Sequence, residues 1–430
     1  MTEYKKFIFK DYNFSVNTKT LTLIYSYDNL VHFSETYKFN FDFIDYNPDL
    51  LDRAIQALYF MAGISYYKAY LAPAIVIEKG EVDENTSKFL SKTYRNGLAE
   101  FFYVNKLDPK FEIIFPINNK KLHSIKSSNS NGLIIGIGGG KDSLVSVELL
   151  RDIGYKISTW SLGHKSQLEP LINRIGLPHF WVERNIDKLL LEHNGKGALN
   201  GHIPISAIFA CVGSIVAILT GKKDSIVSNE NSANEPDLIY QGVQVNHQYS
   251  KSLIFEKDYQ GYMIDTNQTV NYYSSLRPFS EVYISEIFSK IGFNKYKGVF
   301  SSCNRAFTHE STKMFWCGEC PKCAFTFLAL TPFIDREELE LIWGKNLLLE
   351  PKLEPIYRNL LGISGNKPLD CVGELKESRA AMRLAQKIYS ELYKYSFEIP
   401  ESYNYRKIGN HSMPVALFNK IINKLKSMDN

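Results

Sequence analysis

No stretch of this 430-residue chain approaches the ~18 consecutive apolar residues that a membrane-spanning helix needs. The first residues, Met1-Thr2-Glu3-Tyr4-Lys5-Lys6, lack the apolar run of a secretory signal. Membrane insertion and export are therefore not expected, and the reading is cytoplasmic. Charge of one sign is also scarce. Lys+Arg number 50 against 46 Asp+Glu, a net +4 that is too small at this length to indicate a polyanionic partner. Nucleic acid is accordingly not expected as a partner. Cysteine is rare as well, six in all, yet Cys303, Cys317, Cys320 and Cys323 fall close together. In a cytosolic chain such clustering favours metal over disulfide. Cys211 and Cys371 stand apart and read as inert. The remaining balance, 44% apolar and 22% charged, is that of an ordinary globular protein with room for two or three domains. The 27 Tyr and 27 Phe read as compositional bias.

The most informative stretch is Gly132-Leu133-Ile134-Ile135-Gly136-Ile137-Gly138-Gly139-Gly140-Lys141-Asp142-Ser143. Its apolar, β-branched start predicts a buried parallel strand, and Leu144 to Arg151 predicts a helix. Strand, glycine turn and helix N-terminus together make a phosphate cradle, because glycines let backbone N–H groups approach an anion and the helix dipole favours negative charge there. Lys141 adds a point charge. Asp142 is the residue type that holds a Mg²⁺ riding on phosphates, and Ser143 offers a hydroxyl. The Walker pattern fails because Asp142 separates Lys141 from Ser143, and the dinucleotide pattern fails because Lys stands at position 141.

Upstream, Phe7 to Phe14, Lys19 to Tyr27 and Val31 to Phe39 predict strands, with Asp28-Asn29 as a turn. The alternation Thr20-Leu21-Thr22-Leu23-Ile24-Tyr25 indicates a half-exposed antiparallel sheet. Asp52 to Tyr67 and Asn85 to Phe102 predict helices. We read residues 1–126 as an α+β N-terminal domain and Asn118 to Asn131 as the linker that follows. From Gly132 strands and helices alternate, which predicts an α/β domain over 132–345 with a parallel, doubly wound sheet. Ligands in such sheets sit past the carboxyl ends of the strands, so Trp160 to His164, Ser161 included, belongs near a nucleotide. Asn229-Glu230-Asn231-Ser232-Ala233-Asn234-Glu235 follows a short strand and forms a second site wall, and Asn246-His247-Gln248-Tyr249-Ser250-Lys251-Ser252 is a further polar loop. The four cysteines, spaced as a lone Cys303 and a C-x-x-C-x-x-C knuckle, suit a tetrahedral Zn²⁺. An iron–sulfur centre is a second reading of the same residues and a redox pair a third. Residues 346–430 read as a helical extension whose basic tail, Lys420 to Lys426, is a solvated helix face.

The turn Gly138 to Ser143 resembles the S-G-G-x-D-S pyrophosphate loop of the N-type ATP pyrophosphatases, with Gly138 in place of Ser. Loop and cysteine knuckle together resemble the 7-cyano-7-deazaguanine synthases, which leave about 125 N-terminal residues without a counterpart. The chain more closely resembles the UDP-N-acetylmuramoyl-L-alanyl-L-glutamate epimerases, at the glycine turn, at Asn229 to Glu235, at Val245 to Ser252, and at Ser302-Cys303-Asn304 with Trp316 to Cys323. That resemblance implies an isomerase that uses ATP and Mg²⁺ to invert the terminal L-glutamate of UDP-MurNAc-L-Ala-L-Glu for peptidoglycan synthesis, releasing AMP and pyrophosphate. It implies a nucleotide site at Gly138, Gly139, Gly140, Lys141, Asp142, Ser143, Trp160, Ser161 and Asn229. It also implies catalytic roles for Asp142, Glu230, His247 and Lys251, and structural zinc at the four cysteines. Nothing in the sequence separates a proton-transfer base from an anchor for the substrate carboxylate. A tRNA-modifying member would need a basic stripe. A non-enzymatic zinc module would leave Lys141-Asp142-Ser143 without a purpose.

Overall fold

The computed structural model describes residues 4–119, 125, 130–308 and 311–429. Most of the expected linker between Asn118 and Asn131 lies outside those residues. Alternation sets the first three strands, β1 (Lys6–Ser15), β2 (Thr20–Tyr27) and β3 (Val31–Phe39), which pair antiparallel. Along β2, Leu21, Leu23 and Tyr25 are buried while Thr20, Thr22 and Ile24 are only partly covered. Asp28 and Asn29 both take left-handed backbone angles, as a tight hairpin turn requires. The next helix, Pro48–Ala62, starts where Asn47 accepts hydrogen bonds from the Asp49 and Leu50 N–H groups and Pro48 fills the first position.

The remaining strands of the large sheet are β4 (Ala74–Ile77), β5 (Leu133–Gly136), β6 (Ile157–Leu162), β7 (His179–Asn185) and β8 (Asp224–Val227). A short ribbon, β9 (Leu238–Tyr240) and β10 (Val243–Val245), stands apart, and β11 (Asn271–Ser274) completes the set. The nine-stranded sheet runs β11-β8-β5-β6-β7-β3-β2-β1-β4. From β11 to β7 every neighbour is parallel. The sheet then continues without a break into the N-terminal strands, because β3 pairs antiparallel with β7 from Thr36↔Asn185 to Phe39↔Val182.

Each face of the parallel part carries its own apolar layer. Ile134 and Trp160 point into one layer, with helix Ile205–Leu219 and the aromatic side chains Phe7, Phe9, Tyr25 and Tyr59. Leu133, Ile135 and Ile226 point into the other, with helices Lys141–Asp152 and Glu281–Ile291 and much of the C-terminal region. The abundant Tyr and Phe are thus largely the packing of the N-terminal layer. The order in which strands are added reverses at β5: β6 and β7 lie to one side, β8 and β11 to the other. A crevice opens there, past the carboxyl ends of β5 and β8.

At the C-terminus, helices Glu354–Leu360, Leu375–Gln386 and Val415–Met428 form as expected. Leu417, Ile421 and Leu425 anchor the last helix, and Lys424 meets Asp152 at 3.0 Å, so the basic tail is one face of a docked helix. Among the described residues no helix is long and apolar enough to cross a membrane.

Candidate active site

The glycine turn leaves β5 at Gly136 and enters helix Lys141–Asp152 with Gly140 as its cap, which offers no side chain to the first helical N–H groups. Those donors therefore face outward at the positive end of the helix dipole. Open space surrounds Gly138. Gly139 is different. Its φ is +95°, and an added Cβ would lie 2.8 Å from both the Phe307 ring and the Ser301 carbonyl oxygen. Only glycine fits there, and its carbonyl accepts the Ser301 N–H at 3.0 Å. Ser143 turns back to donate to the Gly140 carbonyl at 3.0 Å.

Lys141 is buried and bonds the carboxylates of Asp142 and Glu281 together. Burial works against its charge, but the two carboxylates outweigh burial and hold the ammonium well above its usual range. Oxygens of Asp142, Glu230 and Glu281 lie within 4.8 Å of one another. Burial and the Asp142 charge push the Glu281 carboxyl up, although Lys141 pulls it back. Carboxylate oxygens gathered this closely are the ligand set of a hard divalent cation, and Lys141, Lys251 and Lys322 share the pocket with them. The Glu281 backbone N–H is held in turn by the buried Glu377 carboxyl at 3.0 Å.

Two further loops reach the same pocket from the ends of β8 and β10. Glu230, 4% exposed, follows β8, and Lys251 follows β10. Arg277 fixes both. Its guanidinium is fully buried, pairs with Glu256 at 2.9 Å, and donates to the backbone carbonyls of Glu230, at 2.6 Å, and of Lys251. Lys141, Asp142, Glu230 and Lys251 thus line one pocket, together with Glu281, Ser302, Lys322 and Cys371.

Cys371, which the sequence set apart as inert, stands in the pocket lining, where Lys251 Nζ donates to its sulfur at 3.1 Å. Burial alone would raise this thiol, but Lys251, Lys322 and His247 outweigh burial and bring it down to about 6. His247 stands behind it, outside the pocket lining, and pairs with the Glu100 carboxylate. Burial works against the His247 charge, but Cys371 and Glu100 raise its imidazole to about 10. Neighbouring His202, its ring 4.4 Å away, is lowered to about 4 by burial and by His247.

The other expected residues sit around this centre. Trp160 is 4% exposed, with its ring against Gly136 and Gly213. Ser161 donates to the Ile137 carbonyl at 2.9 Å, tying β6 to the glycine turn. The carbonyl of Asn229 accepts from Ser274 at 2.6 Å. Neither Trp160, Ser161 nor Asn229 lines the pocket. The sequence reading did not single out Glu281, Arg277, Lys322, Glu377 or Cys371. They come from separate segments with no shared spacing, so no local pattern marks them.

The four clustered cysteines converge. Their sulfurs lie within 4.8 Å of one another, with Cys303–Cys320 at 3.9 Å and Cys317–Cys323 at 3.7 Å. A tetrahedron with Zn–S bonds of ~2.3 Å has sulfurs ~3.8 Å apart. These separations are far too long for a disulfide and fit a single ion. A multi-iron cluster, whose thiolates bind different irons, would hold them further apart. Cys320 also opens helix Pro321–Leu330, which carries Lys322 into the pocket, while Ser302 precedes Cys303 and packs near Gly140. The knuckle therefore braces one wall of the site.

Comparison with known proteins finds relatives of this chain. The MurL N-terminal domain family matches residues 1–276, and the MurL C-terminal domain family matches residues 299–393. The chain is similar to a UDP-N-acetyl-alpha-D-muramoyl-L-alanyl-L-glutamate epimerase of Xanthomonas oryzae pv. oryzae, 37% identical over 375 residues, covering 85% of this chain and 82% of the relative. Proteins of the same description from Salinispora tropica and a Micromonospora species are 37% and 36% identical over 337 residues. Each match covers 78% of this chain, with 73% and 75% of the respective relative.

Proposed function

The chain belongs to the MurL epimerase family, and we propose that it inverts the terminal L-glutamate of UDP-MurNAc-L-Ala-L-Glu to D-glutamate, in an ATP-dependent step of peptidoglycan synthesis. The observation that carries this reading is the meeting, in one pocket, of the turn residues Lys141 and Asp142 with Glu230, Lys251 and Cys371. A phosphate cradle beside groups able to move a proton is what activation followed by inversion requires.

The chemistry explains why both halves are needed. Removing the α-proton beside a free carboxylate builds charge next to charge. Joining that carboxylate to AMP, with loss of pyrophosphate, removes the charge and leaves an electron-withdrawing mixed anhydride. The α-carbon then loses its proton on one face and gains one on the other, and hydrolysis returns the carboxylate and AMP. In this scheme the outward N–H groups at Gly138 to Lys141 hold the phosphates. Asp142, with Glu230 and Glu281, would hold Mg²⁺, which supplies charge neutralisation as pyrophosphate departs. Lys251, in the pocket wall, stands as a proton-transfer or carboxylate-anchoring group; Glu230 is either a metal ligand or such a group, and His247 acts from behind Cys371. Cys303, Cys317, Cys320 and Cys323 would hold zinc in a structural role.

Incubation with ATP, Mg²⁺ and UDP-MurNAc-L-Ala-L-Glu tests the reading, with glutamate chirality and the adenine product followed together. D-glutamate formed with AMP, and both lost in Asp142→Asn, is the expected result. AMP without inversion would move the substrate to another carboxylate.

A further inference from the structure

We propose that Cys371 is a proton-transfer residue of this site, its thiolate taking the α-proton of the activated glutamyl group while Lys251 holds the sulfur in place. The inference rests on the epimerase reading above and names a base for it.

Placement supports it first. Cys371 lines the same pocket as Lys141, Asp142 and Glu230, and Lys251 Nζ lies 3.1 Å from its sulfur. Its situation differs from that of every other described cysteine. Cys303, Cys317, Cys320 and Cys323 face one another, and Cys211 is fully buried in helix Ile205–Leu219. Cys371 alone among them meets an ammonium group at a cavity wall. Lys251 also faces the charges of Glu230 and Asp142, and a thiolate at Cys371 is the anion that its ammonium meets directly. Burial opposes ionisation, but Lys251, Lys322 and His247 overcome it. The pairing of His247 with Glu100 then anchors the far side of the group.

The step balances without an external oxidant or reductant. The thiolate takes the α-proton to become a thiol, and the C–H electron pair passes into the carbonyl of the mixed anhydride as an enolate. A water molecule gives a proton to the other face of the α-carbon, and the hydroxide left behind takes the proton from the Cys371 thiol, which restores both. Lys251 is a positioning residue in this scheme, because it acts through the sulfur.

The test is deuterium uptake at the glutamate α-carbon in D₂O, with ATP and Mg²⁺, in the full chain and in Cys371→Ser. The proposal expects uptake and inversion to fall together by about 10²- to 10⁴-fold, while substrate-dependent AMP release stays measurable. Uptake and inversion within a few-fold of the unmutated protein would overturn it. Should Cys371→Ser not fold, iodoacetamide labelling of the unmutated protein, located by peptide mass spectrometry, takes its place. Loss of uptake in step with labelling of Cys371, slowed by substrate and ATP, supports the proposal; complete labelling with uptake intact overturns it. Unmutated protein that neither releases AMP nor exchanges the α-proton would overturn the epimerase reading, and this inference with it.

Discussion

Lys251 Nζ and Cys371 Sγ stand 3.1 Å apart although 120 residues separate them in the chain. One belongs to a loop following β10 and the other to a segment before helix Leu375–Gln386, and they meet only because both back onto the crevice at β5 and β8. Removing the ammonium should remove the main attraction that offsets burial of the thiol. In Lys251→Gln the pH at which Cys371 becomes half-reactive toward iodoacetamide should rise from near 6. An unmoved midpoint would show that Lys251 does not set the thiol's charge.

Arg277 gives a sharper prediction about stability. Its guanidinium is the charge partner of Glu256, itself 1% exposed. Arg277→Met leaves that carboxylate buried and unpaired, a loss of about 3–5 kcal/mol. Adding Glu256→Gln to Arg277→Met should recover part of the melting temperature but not the activity, since the loops carrying Glu230 and Lys251 lose their common anchor. Equal instability of the single and double variants in thermal unfolding would argue against the pairing as the cause.

Gly139 tests the turn. Substitution by alanine imposes a left-handed φ on a residue with Cβ and pushes that carbon into Phe307 and the Ser301 carbonyl. The backbone strain alone is about 1–3 kcal/mol, so Gly139→Ala should lower both the melting temperature and ATP use. Gly138→Ala, which meets open space, should cost little stability, while its methyl group intrudes on the anion position. Similar melting curves for the two variants would contradict the geometry.

The cysteine knuckle predicts one zinc per chain by elemental analysis. Cys320→Ser should lose that metal and lower the melting temperature. Because Ser302 and Lys322 flank two of the ligands, it should also weaken ATP use. Protein purified with iron and acid-labile sulfide instead would refute the single-ion reading.

Much of this was legible in the chain. Alternation placed β1, β2 and β3 nearly to the residue, and the run from Leu133 to Lys141 marked strand, turn and helix start, because each is a local property of spacing and side-chain type. The cysteine spacing likewise announced a cluster. What stayed hidden was partnership. Nothing local to Thr36–Phe39 says that it pairs with Val182–Asn185. Helix Leu253–Asp265 went unread because its apolar stripe is blurred: Glu256 is buried against Arg277, while Ile254 and Ile264 are exposed. The surroundings of Cys371 stayed hidden for the same reason, since its cations arrive from Lys251 and Lys322 and not from its neighbours in sequence.

The most direct test of the account is whether proton exchange at the glutamate α-carbon waits on carboxylate activation. Deuterium uptake from D₂O into UDP-MurNAc-L-Ala-L-Glu should be measured with ATP, without nucleotide, and with an ATP analogue that cannot be cleaved between its α- and β-phosphates. The account predicts uptake and D-glutamate with ATP alone. Uptake of equal rate without nucleotide would mean that the α-proton is removed from the free carboxylate, and would contradict the role assigned to the glycine turn.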